Sequence, residues 1–77
     1  MKITLEYSTL IKIKGYANNS VLELPSNCTV GDLLALLKLP ADFHRAVIVH
    51  VNGEPAWKST VLKEDDSVRL YLMMGAG

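Results

Sequence analysis

Polar and apolar residues alternate in two stretches near the ends of the chain, Lys2–Tyr7 and Val68–Leu72. Alternation with a period of two predicts β-strands that bury one face. Ala46–Val51 is almost entirely β-branched and predicts a third strand, and Val21–Leu24 predicts a shorter one. We expect the first strand and the Val21–Leu24 strand to pair as an antiparallel hairpin with a long connection.

The segments between these strands are less decisive. Ser8–Tyr16 is compatible with a further strand or a short helical turn, and Val61-Leu62 with a short strand or a turn. Asn52-Gly53 predicts a tight reversal after the third strand. Glu54–Trp57 contains a proline and predicts an edge segment or an irregular excursion. The charged stretch Lys63–Ser67 predicts a turn with solvated acidic residues, and a cation site is the alternative.

One helix is predicted between the hairpin and the third strand. Thr29 can accept a hydrogen bond from the backbone N–H of Asp32, and the Asp32 side chain can return one, which is the pattern of a capping box. The residue before a proline disfavours the helical conformation, so we expect the helix to stop at Leu39, before Pro40. The apolar positions recur with the helical period and form one stripe: Val30, Leu33, Leu34 and Leu37.

These elements predict an α+β fold in which a mixed four- to five-stranded sheet packs on one main helix. The length of the chain predicts one domain over residues 1–72, followed by a flexible tail over residues 73–77. Alternation places Tyr7 on the side that faces the helix. On the opposite side, Ile48 and Tyr71 are the apolar members of a polar surface, which predicts a docking site. Scattered surface hydrophobic residues are the alternative interpretation.

Composition excludes several classes of function. Eight basic and eight acidic residues give no net charge, which disfavours a nucleic-acid-binding module. The single cysteine, Cys28, excludes an intramolecular disulfide and indicates a reducing, cytoplasmic location; we interpret it as a small buried residue and not as a nucleophile. We expect no signal peptide, because Met1-Lys2 leads straight into an alternating pattern, and no membrane span, because no apolar run approaches the required length.

Candidate chemistry is sparse. The sequence contains no phosphate loop, no zinc-ligand spacing and no nucleophile–base signature. His44 and His50 alone do not predict a metal site. Trp57, close to Pro55, is predicted to cover the edge of the core, with stacking on a ligand as the alternative. We therefore expect no catalytic residue, no metal and no bound cofactor in this chain.

Several short motifs follow one another in a defined order and end at the small-residue terminus Gly75-Ala76-Gly77. They are the opening strand Ile3–Tyr7, the segment Leu22–Pro25, the helix start Thr29–Leu34, the turn Val51–Glu54 and the stretch Leu62–Val68. Together they resemble the sulfur-carrier family of the ubiquitin-like β-grasp fold, over nearly the whole chain. That family includes the small subunit of molybdopterin synthase and the sulfur carrier of thiamine biosynthesis.

The resemblance implies a carrier and not an enzyme. In the family, an adenylating enzyme of the ubiquitin-activating type uses ATP to activate the C-terminal glycine carboxylate. Sulfur then replaces AMP, and the resulting thiocarboxylate is delivered to a synthase. Gly77 matches that glycine, with Gly75 and Ala76 in the tail. The molybdopterin-type carriers place aromatic residues for partner contact where this chain has Tyr7 and Tyr71.

The candidate partner-binding set is completed by Ile48 and by Met73 and Met74, which lie between the last strand and the terminus. The partners implied are the adenylating enzyme and a sulfur-accepting synthase, and neither nucleic acid nor a membrane. The long first connection and Tyr71 favour the molybdopterin-type branch over the thiamine-type branch.

The chain departs from the family pattern in the tail and also in the turn before the last strand, where Asp65-Asp66-Ser67 lacks the usual glycine. The family ends in Gly-Gly, whereas this chain ends in Ala76-Gly77. Alanine adds a methyl group and does not freely adopt positive φ, which matters in a tail that must enter a narrow channel. The departure favours an alternative hypothesis, a non-covalent ubiquitin-like interaction module that docks through Ile48 and Tyr71 and has an inactive tail.

Overall fold

The computed structural model describes residues 1–39 and 46–73. In chain order, the elements within these residues are β1 (Lys2–Tyr7), β2 (Ser20–Glu23), α1 (Val30–Leu36), β3 (Val47–Val51), β4 (Glu54–Ala56) and β5 (Ser67–Leu72). Strand ends lie within one residue of the predicted ones, and residues 8–16 form neither a strand nor a helix. No helix of the described residues is long and apolar enough to cross a membrane.

The strands form one mixed sheet in the order β2-β1-β5-β3-β4. β1 and β2 pair as the predicted antiparallel hairpin, whereas β1 runs parallel to β5. β3 pairs antiparallel with both β5 and β4. β4 therefore lies at the edge of the sheet, where Pro55 does not interrupt an interior ladder. β5 is the central strand of the five, so its last residue, Leu72, lies at an end of the middle strand.

The core lies between one side of the sheet and α1. Side chains alternate along β1 and β5, so Leu5 and Val68 are fully buried while Thr4 and Arg69 are exposed. Burial of each large aliphatic side chain stabilises the fold by about 1.5–3 kcal/mol, which makes this layer the main source of stability. Among the described residues, the buried apolar ones are Ile3, Leu5, Ile11, Leu22, Leu24, Cys28, Val30, Leu33, Leu34, Leu37, Leu39, Val49, Leu62, Val68 and Leu70.

The N-terminus of α1 is closed by hydrogen bonds. The predicted capping box is present: the Asp32 N–H donates to Thr29 Oγ1 at 3.1 Å, and the Thr29 N–H donates to Asp32 Oδ2 at 3.0 Å. The Gly31 N–H donates to the Lys58 carbonyl at 2.9 Å. A Cβ atom at Gly31 would lie only 3.2 Å from that same oxygen. Glycine therefore permits the close approach of the helix to the loop after β4.

The helix ends at Leu36, earlier than the predicted stop at Leu39 before Pro40. Lys38 adopts the left-handed conformation with φ of 58°, and its N–H donates to the Ala35 carbonyl at 3.0 Å. A left-handed residue just after the last turn is a common way to end a helix. Pro40 correctly indicates that the helix ends before it, but it does not predict the left-handed residue at Lys38 that ends the helix earlier.

The prediction of solvated acidic residues in Lys63–Ser67 is wrong for Asp66, which is only 8% exposed. Its Oδ1 accepts a hydrogen bond from Asn52 Nδ2 at 2.8 Å, and its Oδ2 accepts one from the backbone N–H of Lys63 at 2.7 Å. Asn52 Oδ1 in turn accepts from the N–H of Ser67 at 2.9 Å. These bonds fasten the turn after β3 to the start of β5, so this carboxylate stabilises the fold.

Trp57 does not cover the core, contrary to the prediction, because it is 69% exposed. β4 ends at Ala56, and the chain then turns: the Trp57 N–H donates to Thr60 Oγ1 at 2.9 Å, and the Thr60 N–H donates to the Trp57 carbonyl at 3.0 Å. The turn places the indole at a groove of about 310 Å³ beside α1, β3 and β4.

Candidate functional site

The side of the sheet away from α1, which we call the outer face, carries the residues predicted to dock a partner. In one row across it, Arg69 of β5 lies opposite Glu6 of β1 and His50 of β3. In the next row, Tyr71 lies opposite Ile48. The structure therefore brings the predicted apolar pair together near the centre of the sheet, beside a row of charged and polar side chains.

Tyr71 is held in place by its neighbours. Its ring packs edge-on to the ring of His50, with centroids 5.3 Å apart and an interplanar angle of 72°. Its hydroxyl accepts a hydrogen bond from Arg69 Nη1 at 3.1 Å. Arg69 is itself tied to Glu6, whose Oε2 accepts from Nε at 2.9 Å and lies 2.7 Å from Nη2. An aromatic side chain restrained in this way loses little entropy on binding, which suits an interface anchor.

Met73 extends β5 by one hydrogen bond, from its N–H to the Ala46 carbonyl at 2.7 Å. Alternation along β5 then places its side chain on the same side as Tyr71, and Met73 is 48% exposed. The tail is predicted to begin at Met73, whose N–H is bonded to the residue before β3. The other predicted residues of this region lie outside the described residues: Met74, Gly75, Ala76 and Gly77.

Tyr7 lies at the end of β1, partly buried against the core as alternation predicts. Its hydroxyl donates to the Tyr16 carbonyl at 2.7 Å. Asn18 precedes β2, and its side chain makes two hydrogen bonds with the backbone of Tyr7. Its Oδ1 accepts from the Tyr7 N–H at 2.8 Å, and its Nδ2 donates to the Tyr7 carbonyl at 2.6 Å. Tyr7 and Tyr71 nevertheless both line one shallow depression of about 270 Å³ at the end of β1.

The other titratable candidates are not arranged for catalysis. Cys28 is 7% exposed, and burial, followed by the charge of Asp32, raises the pKa of its thiol. A raised pKa leaves the unreactive thiol form at neutral pH. Within residues 1–39 and 46–73, no three side chains of His, Cys, Asp or Glu converge to hold a metal ion. His44 lies outside the described residues.

Sequence reasoning missed how the outer face is organised. Glu6 and Arg69 meet on this face although they are 63 residues apart in the chain. Their contact depends on the register of the parallel β1–β5 pair, for which the sequence contains no local signal. The edge-on contact of His50 with Tyr71 depends in the same way on the β3–β5 register.

Solved structures share this architecture. SAMP1 from Haloferax volcanii has a TM-score of 0.69 and 22% identity, covering 100% of both chains. A protein described as molybdopterin converting factor subunit 1 from Pyrococcus furiosus has a TM-score of 0.70 and 21% identity, covering 92% of this chain and 95% of that one. The ubiquitin of Caldiarchaeum subterraneum has a TM-score of 0.60 and 22% identity, covering 100% and 98%. These likenesses confirm the predicted ubiquitin-like β-grasp fold.

No curated protein matches the sequence. The sequence model of the ThiS family, in contrast, matches residues 7–73, from the end of β1 to the last described residue. The matched region includes α1 and the strands β3 and β5 that carry most of the outer face. This chain belongs to the ThiS family of ubiquitin-like sulfur carriers, which are small carrier proteins and not catalysts.

Proposed function

We propose that this protein carries sulfur as a thiocarboxylate on Gly77, formed by an adenylating enzyme of the ubiquitin-activating type and delivered to a synthase of cofactor biosynthesis. The family match over residues 7–73 is the observation that carries the proposal. Gly77 follows Met73 by four residues. Four residues span at most about 14 Å, so a partner that holds the outer face must present its active site within that reach of Met73.

The chemistry requires an activated acyl group, because a carboxylate is a poor electrophile. A carboxylate oxygen of Gly77 attacks the α-phosphorus of ATP, and pyrophosphate leaves. A sulfur nucleophile then adds to the acyl carbon, AMP leaves, and a C–S bond replaces a C–O bond. In this proposal the partner enzyme supplies ATP and the catalytic groups, and this chain supplies the acyl group and the docking surface.

The outer face is the surface that we assign to docking. Protein interfaces combine a desolvated apolar centre with a polar rim. Ile48, Tyr71 and Met73 provide the apolar centre, and the Glu6–Arg69 pair provides part of the rim. Further partner contacts are assigned to Tyr7, through the depression it shares with Tyr71, and to Met74.

A molybdopterin-type product is favoured over a thiamine-type product. The aromatic Tyr71 on the central strand supports this assignment, as does the long connection between β1 and β2. The solved structure described as molybdopterin converting factor subunit 1 is consistent with it, although at 21% identity that likeness concerns the fold.

The experiment is intact-mass measurement after incubating the purified protein with ATP, a sulfur donor and its host's soluble extract. Exchange of one oxygen for sulfur in the acyl group adds about 16 Da, and deleting Gly77 should abolish the gain. A control carrier that gains mass in the same extract shows that the extract contains active adenylating and sulfur-transfer enzymes. No gain in this protein would favour the alternative, a non-covalent interaction module with an inactive tail. Ala76→Gly then reveals whether one methyl group is responsible.

Covalent attachment to another protein is a second candidate for the same activated terminus. The observation that favours it is the similarity to a structure described as small archaeal modifier protein 1, with a TM-score of 0.67 and 21% identity. An amine that displaces AMP would form an amide and not a thiocarboxylate. Adducts larger by the mass of this chain, detected in the same incubation, separate attachment from sulfur transfer.

A further inference from the structure

Arg69 has more hydrogen-bond donors than its neighbours use. A guanidinium group carries five N–H donors. Nε donates to Glu6 Oε2 at 2.9 Å, Nη2 lies 2.7 Å from the same oxygen, and Nη1 donates to the Tyr71 hydroxyl at 3.1 Å. Each Nη atom therefore keeps one N–H with no acceptor among the described residues. Glu6 and Tyr71 fix the orientation of the group without saturating it.

A polar pocket of about 240 Å³ lies against Arg69 on the side of β3. The Ser67 hydroxyl and the His50 ring have no hydrogen-bond partner within residues 1–39 and 46–73. The Tyr71 hydroxyl accepts from Arg69 and still has its own proton to donate. The pocket is therefore rich in unused donors. It is lined by His50, Asn52, Gly53, Ser67, Arg69 and Tyr71.

The charges around this pocket are asymmetric. No carboxylate lines it, whereas Glu6 lines the depression on the other side of Arg69. Hydrogen bonds with Tyr71 and then Glu6 raise the pKa of Arg69, which stays charged. The Arg69 and Glu6 side chains are 50% and 38% exposed, and ion pairs this exposed add little to folding. A planar anion with two acceptor oxygens fits a restrained guanidinium best.

We propose that this pocket binds a carboxylate of the docking partner, an aspartate or glutamate side chain that receives hydrogen bonds from the free Nη donors of Arg69. The identity of that partner rests on the proposed function. The pocket shares Tyr71 with the apolar centre of the outer face, so a protein lying on Tyr71 places its neighbouring side chains there. Glu6 is a positioning residue that holds the guanidinium group of Arg69. That guanidinium group determines the specificity of the pocket for a carboxylate.

The first test is an NMR titration of the full-length labelled protein with the peptide acetyl-Asp-Glu-Asp-amide. Its neutral counterpart, acetyl-Asn-Gln-Asn-amide, and inorganic phosphate are titrated in parallel. We expect the acidic peptide to shift the amide signals of Ser67, Arg69 and Tyr71. Arg69→Gln should weaken binding about tenfold, which corresponds to about 1.4 kcal/mol. Lys14→Gln removes one positive charge from an exposed site in another region and should bind like the wild type.

The proposal is overturned if the wild type shows no shifts, if the neutral peptide causes equal shifts, or if Arg69→Gln binds the acidic peptide as the wild type does. Tighter binding of phosphate than of the acidic peptide would also overturn it, because the pocket would then be a small-anion site.

The second test separates this inference from the proposed function. In the mass assay, Arg69→Gln should gain sulfur about tenfold more slowly than Lys14→Gln at limiting carrier concentration, and saturating carrier should reduce the difference. Equal rates of sulfur gain in the two variants would contradict the carboxylate-binding pocket and leave the proposed function intact. If even the wild type gains no mass, the proposed function fails, and the titration still decides whether the pocket binds carboxylates.

Discussion

Two carboxylates beside the central strand show how burial separates structural from binding roles. Asp66, at the start of β5, is 8% exposed and accepts hydrogen bonds from Asn52 and from a backbone N–H. The Glu6 side chain, beside the middle of β5, is 38% exposed and pairs with Arg69 in solvent. A buried polar group cannot exchange its partners for water, so it holds loops together. An exposed pair stabilises folding little and remains available to a partner.

The largest expected effect is on the stability of the fold, through the buried carboxylate of Asp66. Asp66→Ala leaves the N–H of Lys63 and the amide of Asn52 without their acceptor. We expect it to lower the free energy of unfolding by about 2–3 kcal/mol, measured by urea denaturation. Glu64→Gln, in the same turn but exposed, is the control: it keeps an oxygen that can accept from the Lys2 N–H and should change stability by less than about 0.5 kcal/mol. Equal losses of unfolding free energy in the two variants would contradict the distinction between a buried structural carboxylate and an exposed one.

The next effect is on docking. Tyr71→Ala removes the aromatic anchor of the outer face, and we expect the initial rate of sulfur gain to fall about tenfold or more at limiting carrier concentration. Tyr71→Phe keeps the ring that packs against His50 and should retain most of the rate. Stability should change less in either variant than in Asp66→Ala. A wild-type rate in Tyr71→Ala would exclude the outer face as the docking surface.

The features that sequence predicted well are local ones. The capping box depends on Thr29 and Asp32, which are three residues apart, and the β-strands depend on alternation within six residues or fewer. The burial of Asp66 depends on Asn52, which is 14 residues away and belongs to another turn. The sequence of an acidic run does not indicate whether a distant residue such as Asn52 will form a hydrogen bond with one of its carboxylates. The exposure of Trp57 likewise follows from where β4 ends, which composition does not determine.

A smaller effect concerns the buried thiol of Cys28, whose pKa is raised by burial. The stability that the buried neutral thiol contributes is fully present below the pKa of the unfolded thiol, about 8.5, and is lost as pH rises through the raised folded value. The free energy of unfolding should therefore fall more steeply with pH above about 8.5 in the wild type than in Cys28→Ala. Parallel curves for the two proteins would contradict the assigned burial effect.

The smallest expected effect is on the exposed side. Glu6→Gln removes a half-exposed partner of Arg69, and the urea midpoint should be indistinguishable from that of the wild type. A midpoint shift as large as that of Asp66→Ala would mean that the outer face also holds the fold together.

Whether the terminal carboxylate of this chain accepts sulfur can be measured by fragment mass spectrometry of the protein after incubation with ATP, a sulfur donor and extract. We expect a gain of about 16 Da that maps to the C-terminal fragment containing Gly77 and is absent when Gly77 is deleted. An unmodified Gly77, in an extract that converts a control carrier, would contradict it.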